Sequence, residues 1–224
     1  MFDPAQWPIR AAWYLARRIR MEVARCGICR LALSGGRTPA PVYTALAHLD
    51  VPWGQVVFYW SDERAVPADS PQSNFGLAKR TLIDRIRRPP AGVHRIEGEQ
   101  PISEAAAAYD RQLESPLNIV LLGMGDDGHV ASLFPGAETS CTGPRAVPVL
   151  APEAPFERVS MSLSAINEAA EVMMLVRGAA KAERVRDVLG EIRSGTPLLP
   201  AARVSPRRRL TWLLDTGSAG RLSH

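Results

Sequence analysis

The strongest constraint on this chain is a short apolar run that ends in a chemically loaded polar segment, a pattern it uses three times. Leu117-Asn118-Ile119-Val120-Leu121-Leu122 runs into Gly123-Met124-Gly125-Asp126-Asp127-Gly128-His129. Leu31-Ala32-Leu33 ends in Ser34-Gly35-Gly36, and Val56-Val57-Phe58-Tyr59 leads into Trp60-Ser61-Asp62-Glu63-Arg64. Runs this short are too brief for helices. Nearly unbroken apolarity marks strands buried on both faces, as in a parallel sheet covered by helices.

The stretches between these runs read as those helices. Ile9, Ala12, Trp13, Ala16, Ile19 and Val23 recur at helical spacing, so a helix is expected over 9–23 with an arginine-rich outer face. Pro39 or Pro41 suits the first turn of a second helix reaching about Leu49. A long polar loop is expected over 61–73. Asn74 is a plausible N-cap for a helix from Phe75 to Arg85, and Ser103 opens another through Leu113. Further strands are expected over 158–163, 172–176 and 211–214, with a helix from Lys181 to Leu189 after Gly178. Alternating strands and helices predict an α/β fold with a largely parallel sheet covered on both faces. No repeat or low-complexity linker divides the chain, which reads as one domain over 1–224.

A hydrophobic fraction of 46% and a charged fraction of 22% exclude a mostly disordered or fibrous chain. No apolar run approaches a membrane span, and Met1 to Arg10 lacks the basic and apolar regions of a secretory signal. A soluble, cytoplasmic protein without a membrane partner is expected. The formal charge of +4 comes almost entirely from arginine, because lysine occurs only at Lys79 and Lys181. The runs Arg85, Arg87, Arg88 and Arg207 to Arg209 read as solvated faces rather than as a nucleic-acid site, and a small anionic substrate is an equally good use for a few such groups. Cys26, Cys29 and Cys141 suggest no disulfide framework. Cys26-Gly-Ile-Cys29 has redox or half-zinc spacing, but no second ligand pair accompanies it, and it closes a helix instead of opening one.

Ligands in such sheets bind outside the carboxyl ends of the strands, where all three polar segments fall. Ser34-Gly35-Gly36-Arg37-Thr38-Pro39 can present backbone N–H groups and a helix N-terminus to an anion, or can simply be a tight strand-to-helix turn. In Asp62-Glu63-Arg64 the arginine can bind a carboxylate or phosphate, or the three can form a local salt bridge that shapes the loop. His129 beside Asp127 is the sharpest candidate, because a carboxylate can fix the tautomer of a histidine acting as general base. A hydrogen-bonded loop histidine is the alternative. His48, His94 and His224 lack such surroundings and read as structural or surface residues. No nucleophile elbow and no metal-ligand cluster is visible, so activated water is the simplest nucleophile.

At these loops the sequence resembles the 6-phosphogluconolactonase family, within the glucosamine-6-phosphate isomerase/6-phosphogluconolactonase superfamily. The residues that carry the likeness are Leu33 to Pro39, Ser61 to Pro67 with Ser73-Asn74, and above all Gly123 to Gly136. Glu157 to Ser162, Gly178 with Lys181-Ala182, and Trp212 to Asp215 add to it, so it spans nearly the whole chain. The resemblance implies a Rossmann-like three-layer sandwich and hydrolysis of 6-phospho-D-glucono-1,5-lactone to 6-phosphogluconate, the second step of the oxidative pentose phosphate pathway. It implies no cofactor, no metal and no obligate protein partner. It assigns phosphate binding to Ser34, Gly35, Gly36 and Thr38 with Arg158 and Lys181, and the chemistry to His129, Asp127 and Arg64, with Asp62 and Asn74 in support. Arg37 departs from the family, where many relatives have a small hydroxyl residue. Phe134 stands where the isomerase branch carries a glutamate used in ring opening.

Overall fold

The computed structural model describes residues 2–136 and 143–222. Cys141 and His224 lie outside the described residues. The strands of the main sheet form where apolar side chains dominate. These are β1 (Cys29–Leu33), β2 (Val56–Trp60), β5 (Ile119–Leu122) and β8 (Glu171–Val176), and in the last three every residue is buried. With β4 (Gly92–Val93) and β9 (Arg209–Leu214) they make a six-stranded sheet in the order β4-β2-β1-β5-β8-β9. All its pairs are parallel, with Leu31 flanked by Phe58 and Ile119.

From β1 the chain steps outward to β2 and β4, whereas from β5 it steps the other way to β8 and β9. Parallel crossovers are right-handed, so this reversal puts α2 (Pro39–Ala47) and α6 (Ala182–Ser194) on opposite faces. The result is the Rossmann-like three-layer arrangement, with a crevice where β1 and β5 diverge. The helix α1 (Trp7–Cys26) buries Trp7, Leu15 and Ile19 against the sheet and ends at Gly27, whose φ of 76° closes it with a left-handed turn.

A second, antiparallel sheet has the order β3-β7-β6 and joins β3 (Asp62–Arg64), β7 (Glu157–Met161) and β6 (Ala146–Leu150). Of its three strands the sequence points only to β7, as the strand expected over 158–163. β3 is short and polar, β7 mixes Glu157 and Arg158 with Val159 and Met161, and β6, although apolar, is interrupted by Pro148. The expected polar loop over 61–73 therefore begins with a strand. The strand expected over 158–163 stops at Met161, and Ser162 caps the short helix α5 (Leu163–Glu168) by accepting the Ala165 N–H.

Helix boundaries also move. The N-cap of α3 (Asn74–Thr81) is Ser73, whose Oγ accepts the Gly76 N–H at 3.0 Å. Asn74 is released from that duty and turns to Asp62. The helix ends at Thr81, short of the expected Arg85, because Leu82 leaves helical geometry to bury in the core. The helix α4 (Ile102–Gln112) starts one residue before Ser103, behind Pro101. Cys26 is exposed, Cys29 is buried and both are free thiols; burial pushes the Cys29 thiol far up, which makes it inert. Among the described residues no helix is long and apolar enough to cross a membrane.

Candidate active site

After β5 the chain folds back on itself. The Gly125 N–H donates to the His129 carbonyl at 3.0 Å, and the Gly128 N–H to the Gly125 carbonyl at 3.2 Å, with Gly128 at φ 87°. This hairpin brings Asp127 Oδ1 within 2.7 Å of His129 Nδ1, and the same oxygen accepts the His129 backbone N–H at 3.1 Å. With Nδ1 committed to the carboxylate, Nε2 is the nitrogen left for a reactant. Partial burial pushes the Asp127 carboxyl up, but the His129 N–H, the imidazole and its charge outweigh that and hold it below the usual range. The pair needs glycine at 125. A Cβ there would lie 2.2 Å from His129 Nδ1 and 2.6 Å from Asp127 Oδ1. The Phe134 ring lies 4.7 Å from the imidazole, centroid to centroid, and carries the Arg158 guanidinium 5.7 Å from its centre.

The opposite wall starts at the end of β1. The buried Tyr43 hydroxyl of α2 accepts the Ser34 N–H at 2.9 Å and donates to the Ser34 carbonyl at 2.7 Å. That fixes the turn into Gly35-Gly36, with Gly36 at φ 93°. Pairing of β3 with β7 sets Arg64 directly opposite Arg158. Like charges across a strand pair are unfavourable, and burial followed by the Arg64 charge lowers the affinity of Arg158 for its proton. An anion between them relieves both effects. Arg158 Nε donates to the Pro155 carbonyl, the Arg64 guanidinium donates to the Gln72 carbonyl, and Arg64 Nε is buried without a partner among the described residues. Lys181 Nζ meets the Met124 carbonyl at 2.9 Å and Asp126 at 2.5 Å, which ties the start of α6 to the glycine loop.

Between the walls lies a buried polar cluster. Asp62 accepts from Ser132 Oγ at 2.8 Å, Ser61 Oγ at 3.2 Å and Asn74 Nδ2 at 3.2 Å. Asn74 Oδ1 is buried without a partner among the described residues and packs on Gly35, where a Cβ would come within 1.7 Å of it. Glycine at 35 is thus required by the close approach of Asn74. The alternative of a salt bridge within Asp62-Glu63-Arg64 is not what forms. Glu63 accepts the backbone N–H groups of Arg64, Asn74 and Phe75 at 2.8 Å each and the Ser73 hydroxyl at 2.9 Å. Burial pushes its carboxyl up, against these four bonds. Sequence reasoning gave Glu63 no such part. Its partners lie up to 12 residues away on α3, and no local signal marks them.

These elements enclose a cleft of about 260 Å³. Ser34, Gly35, Gly36, Thr38, Asp62, Arg64, Asn74, His129, Arg158 and Lys181 all line it, while Asp127 stands behind His129. Arg37, left open by the sequence, lines it as well. Ala131 also lines it, at a φ of 50° that is unusual for a residue with a side chain; nothing in the sequence signals that strain. Among the described residues no group of three or more His, Cys, Asp or Glu side chains could hold a metal.

Fold and site define a class: an α/β protein of doubly wound type whose switch-point crevice joins a histidine–carboxylate pair to a cationic wall. The family described as glucosamine-6-phosphate isomerases/6-phosphogluconolactonase matches residues 3–212, and the chain belongs to it. A 6-phosphogluconolactonase of Synechocystis is 34% identical over 220 residues, covering 92% of this chain and 90% of the relative. The crystal structure of 6-phosphogluconolactonase from Thermotoga maritima superposes with a TM-score of 0.85 at 32% identity, covering 96% of this chain and 97% of the other. A monomeric glucosamine-6-phosphate deaminase has the same TM-score of 0.85 at 21% identity over 99% of this chain and 98% of that one, a likeness of fold alone.

Proposed function

We propose that this chain is a 6-phosphogluconolactonase, which hydrolyses 6-phospho-D-glucono-1,5-lactone to 6-phosphogluconate. The observation that carries the reading is one cleft that holds a carboxylate-backed histidine and, within the same walls, Arg64, Arg158 and Lys181. The lactone's phosphate lies against the Ser34 loop, Arg158 and Lys181. His129 Nε2 takes a proton from water as the water oxygen bonds to the lactone carbonyl carbon. Arg64, with its unpartnered Nε, takes the oxyanion that forms. When the tetrahedral intermediate collapses, the bond from that carbon to the ring oxygen breaks, and the imidazolium returns the proton to the departing ring oxygen. Asp127 holds the ring and favours its charged form. Asp62 and Asn74 support the sugar side of the cleft. The chain acts as one domain over 1–224, in the cytoplasm, on a small-molecule substrate. The reaction as drawn uses no cofactor, metal, nucleic acid or protein partner.

Two related chemistries share this fold, so residues must separate them. Ring opening in the isomerase branch uses a glutamate near the histidine. Phe134 fills that place with a ring that can neither accept nor relay a proton, and it packs on His129. The test follows lactone made in situ by glucose-6-phosphate dehydrogenase against its spontaneous hydrolysis. Acceleration by the protein, with no ammonia released from glucosamine 6-phosphate, is expected. Replacement of His129 by Ala should lower turnover by roughly 10²- to 10⁴-fold in a folded protein. Turnover of glucosamine 6-phosphate with none of the lactone would overturn the assignment.

A further inference from the structure

A second cavity, about 1020 Å³ against about 260 Å³ for the cleft, lies at the other end of the sheet. It is bounded by the second half of α1, the segment from the end of α2 to the start of β2, and the turn after α3. Arg20, Arg85, Arg87 and Arg88 line it together with His48, and Asp50 is the one carboxylate in its wall.

Like Arg64 and Arg158 on the cleft wall, none of these four arginines meets an acidic side chain among the described residues. Arg18 meets Glu171, Arg145 meets Glu168 and Arg208 meets Glu22. By contrast, Arg20 donates to the Asp50 carbonyl at 2.6 Å and Arg85 to the Arg80 carbonyl at 2.8 Å, while Arg87 and Arg88 have no partner among the described residues. The nearest acid in sequence, Asp84, pairs with Lys79 instead. The carbonyl end of α2 also faces the cavity and carries about half a negative charge. With Asp50 this leaves the four guanidinium groups largely uncompensated in a concave surface, which concentrates their potential.

We propose that this cavity is a second anion site, built for condensed phosphate: two or more phosphoryl groups in a row, free or carried by a nucleotide. Guanidinium forks match phosphate oxygens in pairs, and a single orthophosphate reaches too few of them in a volume at the upper end of small-molecule sites. The wall's tryptophan, Trp53, is only 4% exposed, so the one aromatic ring the wall offers a base is the exposed imidazole of His48. Recognition therefore rests mainly on the phosphates, since a single-stranded nucleic acid would find one ring rather than a row of rings for its successive bases.

Calorimetric titration of the whole protein with sodium tripolyphosphate, ATP and orthophosphate tests this. Tripolyphosphate should bind at about physiological ionic strength and orthophosphate about tenfold more weakly or not at all. ATP equal to tripolyphosphate extends the site to nucleotides, and tripolyphosphate binding without ATP restricts it to inorganic chains; both support it. The double variant Arg87→Ala/Arg88→Ala should weaken tripolyphosphate binding about tenfold while lactone turnover and the thermal melt stay unchanged. Silence with tripolyphosphate, undiminished binding in the double variant, or binding of an RNA 20-mer with no response to tripolyphosphate would each overturn the proposal.

Discussion

At the scale of single residues, the site depends on side chains that are absent as much as on those present. The backbone at Gly125 tolerates alanine, but the added methyl would lie 2.2 Å from His129 Nδ1. Gly125→Ala is therefore expected to displace the His129–Asp127 pair and lower kcat by about 10²-fold or more while the melt barely moves, since the loss falls on the general base. A near-normal kcat would show that the pair is not the reactive unit. On the anion wall, Arg158→Ala and Lys181→Ala should each raise KM for the phospholactone by roughly 10- to 100-fold, the worth of a charged hydrogen bond. Arg37 is exposed, so Arg37→Ser should raise it only about two- to fivefold. Steady-state kinetics with the phosphorylated and unphosphorylated lactones checks the set. The three variants should differ from wild type on the first substrate and match it on the second.

At the scale of elements, two buried tyrosines fasten the ends of two neighbouring strands. Tyr43 of α2 bonds both peptide groups of Ser34, just beyond β1, and Tyr109 of α4 does the same for Trp60, the last residue of β2. Each hydroxyl acts as donor and acceptor to the N–H and C=O of a residue at or just past a strand end, and burial pushes both phenols well up, so they stay protonated. Tyr43→Phe leaves a buried N–H and C=O unpaired and should cost about 1–3 kcal/mol in urea unfolding. Because the freed segment is the Ser34 turn, KM should rise in the same variant. A stability loss with unchanged KM would place the anion away from that turn.

Across the whole molecule, one buried carboxylate ties distant segments together at the end of the sheet away from the cleft. Glu22 of α1 accepts from Arg25 and from Arg208, ahead of β9, at 2.7 Å each, and from Asn118, ahead of β5, at 3.1 Å. Asn118 in turn accepts the Arg30 N–H of β1 at 2.7 Å. Burial pushes Glu22 up, but the bonds from Arg25, Arg208 and Asn118 outweigh it, so the folded value lies below the ordinary 4.5. A carboxyl depressed in the folded state contributes stability above its unfolded value, and that stability is lost as pH falls through the folded one. Glu22→Gln should cost about 1–3 kcal/mol at pH 7, toward the lower end because both arginines are partly exposed. The gap from wild type should close once pH drops below the folded value. Urea midpoints measured on both sides of the ordinary 4.5 check this; a gap of constant size would mean that Glu22 acts through packing alone.

The main sheet and the edge that carries the cleft are legible from the order of residues alone. Unbroken apolar runs at 56–59 and 119–122 suit strands covered on both faces, and right-handed crossovers then bring the loops after Leu33, Tyr59 and Leu122 to one edge. The His129–Asp127 pairing was legible because both partners lie within one glycine-rich turn. Tertiary structure alone decided what depends on residues far apart in the chain. The β3-β7 register that sets Arg64 against Arg158, the approach of Asn74 that forbids a side chain at Gly35, and the four bonds that turn Glu63 into a brace have no local pattern. Local periodicity reports how one segment meets solvent and core. It carries no information about which polar group a buried polar group will meet, since that partner is chosen only when the elements pack.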